Sequence, residues 1–219
     1  MFSMKLQLDK YTGSLSDKIY FAIKEAILRG DLSPGYRLLV LDIANSLNIS
    51  QAPVREAMER LKQEGLLVSK PYRGSVVSDI SKEEIEEIYA LRELIEGYAI
   101  RNSLPILTEE HIQELHDLYA EMKRAAENDD LYSLILKDME FHGLFYKLCG
   151  NKTILNVWNQ MNTKIRRFLA ITNKVYFPSL VDVADSHIPL LEVLKTRDVD
   201  QVEQEFIKHM KEVWWRMKK

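Results

Sequence analysis

The chain of 219 residues contains a single cysteine, Cys149. One thiol cannot form an internal disulfide bond, so the sequence favours a reducing compartment. No stretch approaches the roughly 20 consecutive apolar residues that a membrane-spanning helix needs. Residues 1–10 alternate apolar and charged side chains and lack the apolar core of a signal peptide. These absences predict a cytoplasmic protein that has no membrane partner.

The sequence also lacks an internal repeat, a low-complexity tract, a glycine-rich phosphate loop and a nucleophile motif. Its net charge is only −3, but the charge is unevenly divided. Residues 1–78 carry 11 Lys and Arg against 8 Asp and Glu, whereas residues 79–219 carry 19 against 25. The basic excess therefore lies in the first part of the chain, and we expect only that part to meet nucleic acid.

Residues 50–67 have the pattern of the second helix of a helix-turn-helix motif. Pro53 stands where a first helical turn tolerates a missing N–H, and Gly65 can end the helix in a left-handed cap. Between them, apolar residues recur at helical spacing at Val54, Ala57, Met58 and Leu61. The amphipathic segment 40–47 precedes this helix across a short polar break. On the opposite face, the side chains predicted to be free for the major groove of DNA are Gln51, Arg55 and Arg60.

A basic β-hairpin is expected directly after this helix. Residues 66–69 and 75–78 are short β-prone runs, and the turn between them contains Lys70 and Arg73. Such a two-stranded wing would reach phosphates or the minor groove. The order of the motifs predicts a winged helix-turn-helix DNA-binding domain over residues 1–78. The alternative is a small helical bundle with an incidental hairpin.

The rest of the chain, residues 79–219, is expected to form a separate all-α domain because no segment in it alternates with period two. Six helices are predicted, near 81–102, 108–127, 130–148, 151–174, 180–196 and 198–217. The predicted fold is therefore mostly α, with an N-terminal winged helix-turn-helix domain followed by an all-α helical bundle of about six helices.

Four residues of this bundle could hold a metal ion. Asp138 and His142 are four residues apart on one predicted helix, so they share a face. His187 and His209 each lie about 11 residues from a predicted turn, so an antiparallel hairpin would place them opposite each other. One carboxylate and three imidazoles suit a divalent Zn, Ni or Mn ion. The alternative is that the histidines are hydrogen-bonded core residues.

Together, these motifs resemble the GntR family of bacterial transcription regulators, in the FadR-type subfamily with an FCD effector-binding domain. In the first half the resemblance rests on residues 27–35, Ser50, residues 53–57, residues 64–66 and Arg73–Gly74. In the second half it rests on Leu91–Arg92, Glu96, Asp138, Phe141–His142, Gly150–Asn151, His187 and His209. The resemblance covers nearly the full chain.

The resemblance implies a homodimer that binds a pseudo-palindromic double-stranded DNA operator. It implies that the bundle dimerises and binds a small organic acid effector, and that Asp138, His142, His187 and His209 hold the divalent metal ion in the effector cavity. Arg92 is then a candidate effector-binding residue, through a bidentate contact with the carboxylate. The alternative role of Arg92 is a salt bridge with Glu96, one helical turn further on. Arg166 and Arg167 are weaker candidates for the effector.

The candidate DNA-contacting residues are Ser50, Gln51, Ala52, Arg55, Arg73 and Gly74. Gln51 departs from the family pattern, in which many members carry arginine at this position. Glutamine prefers adenine edges and arginine prefers guanine, so the operator is expected to differ at that base. Arg55 is expected to contact a guanine, and Arg73 with Gly74 to enter the minor groove or grip phosphate.

The sequence thus predicts a ligand-responsive transcription regulator, a repressor, and not an enzyme. A metalloenzyme with an Asp/His₃ centre and an accessory winged helix is the alternative. The lack of a general base near the four residues in sequence argues against it. A third possibility is a bundle in which the histidines only pack.

Overall fold

The structure is a computed structural model that describes residues 7–71, 74–79 and 81–217. The chain divides into two compact units, Met1–Ile80 and Ser81–Lys219. The expected boundary, between residues 78 and 79, lies close to this division. None of the described helices combines the length and the apolarity that crossing a membrane would require.

The described part of the first unit contains three helices and three short strands. In chain order they are α1 (Leu15–Arg29), β1 (Arg37–Leu38), α2 (Val40–Leu47), α3 (Gln51–Gln63), β2 (Leu67–Lys70) and β3 (Gly74–Val77). Helix α1 begins with a capping box in which Ser14 and Asp17 satisfy each other's backbone N–H groups. Asn48 adopts a left-handed conformation with φ of 54°, which allows the tight turn between α2 and α3.

The three strands form one antiparallel sheet in the order β1-β3-β2. Leu67 pairs with Val77 and Lys70 pairs with Gly74, which is the expected hairpin. The prediction of a two-stranded wing is incomplete, because β1 adds a third strand in which Arg37 lies opposite Val76. A strand of two residues is too short to show an alternation of side chains, so the sequence pattern could not reveal it.

The second unit is helical throughout its described part, apart from connections. Its helices are α4 (Lys82–Ser103), α5 (Glu109–Glu127), α6 (Leu131–Leu148), α7 (Lys152–Tyr176), α8 (Leu180–Asp185), α9 (Ile188–Leu194) and α10 (Val199–Met217). Aromatic packing fixes α6 against α10, since the rings of Phe145 and Phe206 meet edge to face with centroids 4.9 Å apart. These two helices carry three of the four candidate metal ligands.

The prediction of one helix over residues 180–196 is wrong, because α8 ends at Asp185 and α9 begins at Ile188. Pro189 lies in the first turn of α9. It has no N–H to continue a helix from α8, and it disfavours helical geometry at the residue before it. His187 lies in the break, where its carbonyl accepts from the N–H groups of Leu190 and Leu191.

Candidate metal centre and nucleic-acid interface

Helix α3 has one buried and one exposed face. The side chains packed into the core of the first unit are Val54, Ala57, Met58 and Leu61. Gln51, Ala52 and Arg55 are exposed on the other face. The guanidinium of Arg55 donates to the side-chain oxygen of Gln51 over 2.9 Å, so the two side chains form one polar unit. Ser50, at the N-cap, makes no capping bond with its hydroxyl, which suits an anion at a helix N-terminus.

Arg60 does not belong to this free face, contrary to expectation. Its guanidinium donates to Asp17 on α1 over 2.6 Å and lies over the ring of Tyr20, 4.1 Å from the centroid. Hydrogen bonds from Ser14, followed by the bond from Arg60, lower the pKa of Asp17 to about 2. Arg60 therefore braces α3 against α1 instead of facing outward.

Gly74, the first residue of strand β3 of the wing, has φ of 73°. A side chain there would be strained, and its Cβ would lie 3.1 Å from Leu39. Arg73, the predicted partner of Gly74 in DNA contact, lies outside the described residues. Lys70 is exposed at the end of β2.

The structure brings the four predicted metal ligands together. One donor atom from each of Asp138, His142, His187 and His209 lies within 4.8 Å of every other donor. Two donors bound to one ion at about 2.1 Å each are at most about 4.2 Å apart. In a tetrahedral site with bonds of this length the donors lie about 3.4 Å apart. The widest pair, which is within 4.8 Å, would therefore draw in by up to about 1.4 Å to share a tetrahedral ion.

The hydrogen bonds of the three imidazoles leave nitrogen atoms for such an ion. His142 donates from Nδ1 to Glu96 over 2.5 Å, and His187 donates from Nδ1 to the carbonyls of Val183 and Ala184 over 3.3 Å. Among the described residues, three buried imidazole nitrogens have no hydrogen-bond partner: Nε2 of His142, Nε2 of His187 and Nδ1 of His209. Unpaired buried polar atoms are rare and costly. Their convergence on one point is what a metal site requires.

The pair formed by Asp138 and His187 supports the same interpretation. Asp138 Oδ1 lies 3.1 Å from His187 Nε2, yet the proton of this imidazole is committed to backbone carbonyls through Nδ1. A lone pair of Asp138 Oδ1 thus faces the lone pair of His187 Nε2, and a cation bound between the two atoms would make this contact favourable.

Glu96 belongs to the candidate site, and the sequence did not reveal its contact with His142. It is fully buried on α4, and its carboxylate accepts from His142, from Arg92 Nε over 3.0 Å and from Tyr146 over 3.3 Å. A carboxylate behind a metal-binding histidine fixes the tautomer and orientation of the ring. The sequence did contain one signal for the burial of Glu96. Arg92 and Glu96 are four residues apart on the apolar face of α4, and this spacing is typical of an ion pair within a helix.

A cavity of about 30 Å³ adjoins the four donors. A water molecule needs roughly 10–15 Å³ by the same measure, so the space admits one or two small groups. Arg92 and Asn173 also line it. Arg92 is held by Glu96, which is the alternative role expected for it. Asn173 is 2% exposed, and its amide oxygen has no hydrogen-bond partner among the described residues.

The remaining arginine candidates lie elsewhere. Arg166 lines a separate groove of about 230 Å³ between α6 and α7, on which Trp158 and Gly143 also border. Arg167 is buried but is not among the residues that line the metal cavity. Neither residue therefore joins the four donors.

Two family models match the chain. The model described as bacterial regulatory proteins, gntR family, covers residues 15–77, and the model of the FCD domain covers residues 87–212. Both matches fall within the compact units of the structure.

Curated proteins and solved structures agree with these models. The chain is 28% identical over 184 residues to the "Probable D-xylose utilization operon transcriptional repressor" of Paenarthrobacter nicotinovorans, covering 84% of this chain and 80% of that protein. It is 26% identical over 208 residues to the "HTH-type transcriptional repressor RspR" of Escherichia coli strain K12, covering 92% and 88%. The solved structure of E. coli McbR/YncC is 23% identical, with a TM-score of 0.75 over 94% of this chain and 100% of that chain. This last likeness shows the fold.

Proposed function

Since this chain belongs to the gntR family of bacterial regulatory proteins and carries an FCD domain, we propose that it is a repressor whose operator binding responds to a small carboxylate held beside a metal ion. It is a transcription regulator and not an enzyme, which excludes the metalloenzyme alternative. The proposal further includes that the protein is a homodimer, that its operator is pseudo-palindromic, and that it binds a small carboxylate effector and a metal ion.

The observation that carries this proposal is the convergence of three partnerless imidazole nitrogens and the carboxylate of Asp138. Asp138, His142, His187 and His209 would hold the ion, and Glu96 would orient His142. Burial, followed by the nearby His187 and His142, lowers the pKa of His209 well below its usual range. A neutral imidazole is the form that binds a metal. The donor set suits Zn²⁺, Ni²⁺ or Mn²⁺, and the bound ion would supply a positive charge to an anionic ligand.

Charge explains why the effector would depend on the ion. Two buried charged side chains, Asp138 and Arg92, line the cavity. The charge of Arg92 is balanced by the buried Glu96 with which it pairs, so the carboxylate of Asp138 remains in excess. Without a cation this centre repels a carboxylate, whereas a divalent cation reverses the sign. Arg92 remains the candidate for a contact with the effector carboxylate, with its Nε committed to Glu96. The oxygen of Asn173 could accept from a hydroxyl of the same ligand.

The exposed face of α3 supports the DNA half of the proposal. Gln51 and Arg55 stand side by side near the helix N-terminus, where a recognition helix contacts base edges. Arg55 would contact a guanine and Gln51 an adenine. Ser50, Ala52 and Gly74, together with Arg73 outside the described residues, are the remaining proposed contacts.

The decisive experiment compares metal-loaded and chelator-treated protein. Isothermal titration with a panel of small organic acids should show binding to the loaded protein and none after chelation. Asp138→Asn should abolish both stoichiometric metal, measured by mass spectrometry, and acid binding. His116→Ala removes a histidine of α5 outside the centre and should change neither. Equal binding of the acids with and without metal would refute the proposed role of the ion.

The effect of the acid on operator binding needs a separate measurement. Gel-shift titration of an operator fragment should give nanomolar binding that shifts when the bound acid is added. A protein that binds its acid but leaves operator affinity unchanged would not be the proposed switch.

A further inference from the structure

The groove of about 230 Å³ between α6 and α7 is lined by one stripe of residues from each helix. The stripe of α6 runs from Leu136 to Lys147 and the stripe of α7 from Leu155 to Arg166, each with the periodicity of one helix face. None of the described residues that line this groove also lines the metal cavity. The two are therefore separate spaces within the second unit.

The floor of the groove is open because α6 has no side chain at Gly143. A Cβ built there would have Trp158 Nε1 at 3.4 Å and, its chain neighbours and own helix backbone aside, no other described atom within 4 Å. A larger residue at this position would extend into the groove. Trp158 is 3% exposed, and its ring stacks on that of Tyr146 with centroids 4.3 Å apart. The groove therefore has a firmly packed aromatic wall beside an unoccupied position of the helix.

One end of the groove carries an arginine that lacks a hydrogen-bond partner at Nε. Arg166 is partly buried, its Nε–H is enclosed by protein, and no acceptor for this N–H is present among the described residues. The guanidinium lies over the ring of Tyr132, with its carbon 5.5 Å from the centroid. Glu140 also lines the groove, but its carboxylate pairs with Lys137 over 2.9 Å. An enclosed guanidinium N–H without an acceptor is costly, whereas a carboxylate bonds to the guanidinium fork through two oxygens. The groove therefore favours an anion at the Arg166 end.

We propose that this groove binds a small organic monocarboxylate with an apolar body, with the carboxylate on Arg166 and the apolar body against Trp158 and Gly143. Met139, which is 4% exposed, adds to the apolar surface. Asn162 lies between Trp158 and Arg166 on the stripe of α7, where its amide can donate to the same carboxylate. The side chain of Arg166 is only partly buried, so it can turn its Nε edge toward the groove.

The dimensions of the groove select acids of moderate length. Trp158 and Arg166 are eight residues apart on α7, which is about 12 Å along the helix axis. The long side chain of Arg166 leans toward the N-terminus of α7, which brings its guanidinium closer to Trp158. A cavity of about 150 Å³ holds benzene, so the larger groove admits a ring with a short chain. A phenyl ring joined to a carboxylate by a few single bonds meets these limits, and 3-phenylpropanoate is the probe.

This site goes beyond the proposed function and needs neither the metal ion nor the operator. The metal cavity, at about 30 Å³, is too small for a phenyl ring. A small hydrophilic acid, in turn, has no apolar body to bury in the groove. The probe should therefore bind after the metal has been removed, when the acids proposed for the metal centre do not.

The first test is a titration of the full chain after chelation. Isothermal calorimetry with 3-phenylpropanoate should show one site with a dissociation constant on the order of a millimolar or below. Asp138→Asn, which disrupts the metal centre, should bind the probe as the wild type does. 3-Phenylpropan-1-ol lacks the charge and propanoate lacks the ring, so each should bind at least about tenfold more weakly.

Variants locate the site. Arg166→Gln removes the guanidinium and should weaken the binding of 3-phenylpropanoate at least about tenfold. Arg124→Gln, at an exposed arginine of α5, is the matched control and should leave the affinity unchanged. Gly143→Leu fills the floor of the groove and should abolish binding, while leucine in place of glycine favours the helix. Circular dichroism should match the wild type in all three variants.

The indole of Trp158 gives a signal within the groove. In protein made with isotope-labelled tryptophan, the indole N–H resonance that Trp158→Phe removes should shift as the wild type is titrated with the probe. Lack of a shift at saturating probe, or equal affinity of wild type and Arg166→Gln, overturns the proposal. Absence of any binding at about ten times the expected dissociation constant also overturns it. Failure of the proposed function would look different, because the chelated protein would bind the probe whether or not it held a metal or an operator.

Discussion

At the residue scale, the candidate metal site includes a carboxylate, Glu96, that is not one of the four proposed ligands. Glu96 accepts the Nδ1 proton of His142, and so it leaves Nε2 of that ring as a lone pair. Burial alone would raise the pKa of Glu96, but the interactions with His142 and then with Arg92 lower it, which keeps the carboxylate ionised. Glu96 thereby joins the ion pair of α4 to His142, a candidate metal ligand on α6.

Glu96→Gln should reduce metal affinity about 10- to 100-fold, because the amide cannot fix the His142 ring as strongly. The measurement is competition against a chelating dye on folded protein. The matched control is Glu93→Gln, which removes a carboxylate of the same helix that pairs with Lys211. If both variants retain wild-type affinity, Glu96 does not position His142.

A second residue-scale prediction concerns the Gln51–Arg55 unit. Arg55→Ala should cost about 1–3 kcal/mol of specific operator binding and relax base preference at one position. Gln51→Arg should move the preference at a neighbouring position from adenine toward guanine. Lys70→Ala on the wing is the contrast, because loss of a phosphate contact should weaken binding to all sequences alike. Gel shifts on single-base operator variants would measure these effects, and identical base preferences in all three proteins would contradict them.

At the element scale, two helices contain a glycine in their interior, and the two glycines differ in what surrounds them. A Cβ on Gly143 of α6 would meet Trp158 at 3.4 Å, which is an ordinary contact. A Cβ on Gly97 of α4 would collide with the carboxylate of Glu203, which pairs with Arg101. A Cβ at Gly97 would thus require the end of the Glu203 side chain to move, whereas a Cβ at Gly143 would require no such movement.

Gly143→Ala should therefore stabilise the protein by about 0.5–1 kcal/mol through helix propensity. Gly97→Ala should show no gain, because Glu203 must leave Arg101 to make room. Urea unfolding followed by circular dichroism gives both free energies of unfolding. A gain of equal size in the two variants would contradict the packing seen at Gly97.

The lowered pKa of Glu25, on helix α1, predicts that the stability of the first unit depends on pH. Burial alone would raise the pKa of Glu25, but bonds from Lys10, Tyr11 and Arg29 outweigh it and lower the pKa to about 2. Because the pKa of Glu25 in the folded protein lies below its usual 4.5, its carboxylate makes its full contribution to stability when the pH is above 4.5. The contribution is lost as the pH falls from 4.5 toward about 2.

Glu25→Gln should thus cost about 1 kcal/mol at neutral pH and lose less stability than the wild type on acidification. Thermal melts between neutral pH and pH 3 would show the two curves converge. Glu56→Gln, at an exposed position of α3, should keep the wild-type pH profile. Parallel curves for Glu25→Gln and wild type would refute the assignment.

The elements show what sequence patterns could predict here. The stripe from Val54 to Leu61 predicted the buried face of α3, because burial of a long amphipathic helix follows its period. The equal distances of His187 and His209 from the predicted turn indicated that the two residues lie opposite each other. In the structure their ring centroids are 4.4 Å apart. The break before Pro189, strand β1 and the bond from Arg60 to Asp17 depend on single residues or on tertiary contacts, which periodicity does not encode.

At the scale of the whole molecule, the two units have different tasks and separate cores. The core of the first unit joins α1, α2, α3 and the sheet, while all four candidate metal ligands lie in the second unit. Metal binding stabilises only the structure that forms its site. The two units should therefore respond differently when the metal is removed.

Tryptophan fluorescence can separate them, because all three tryptophans, Trp158, Trp214 and Trp215, lie in the second unit. Chelation of the metal-loaded protein should lower the melting temperature followed by tryptophan by roughly 5–10 °C, from a loss of about 2.7 kcal/mol at a hundredfold excess of metal over its dissociation constant. A probe placed on α1 should report an unchanged transition. Asp138→Asn should make the tryptophan transition insensitive to chelator. If chelation shifted both transitions equally, or if the variant still responded, the stabilising ion would have to lie outside the four donors.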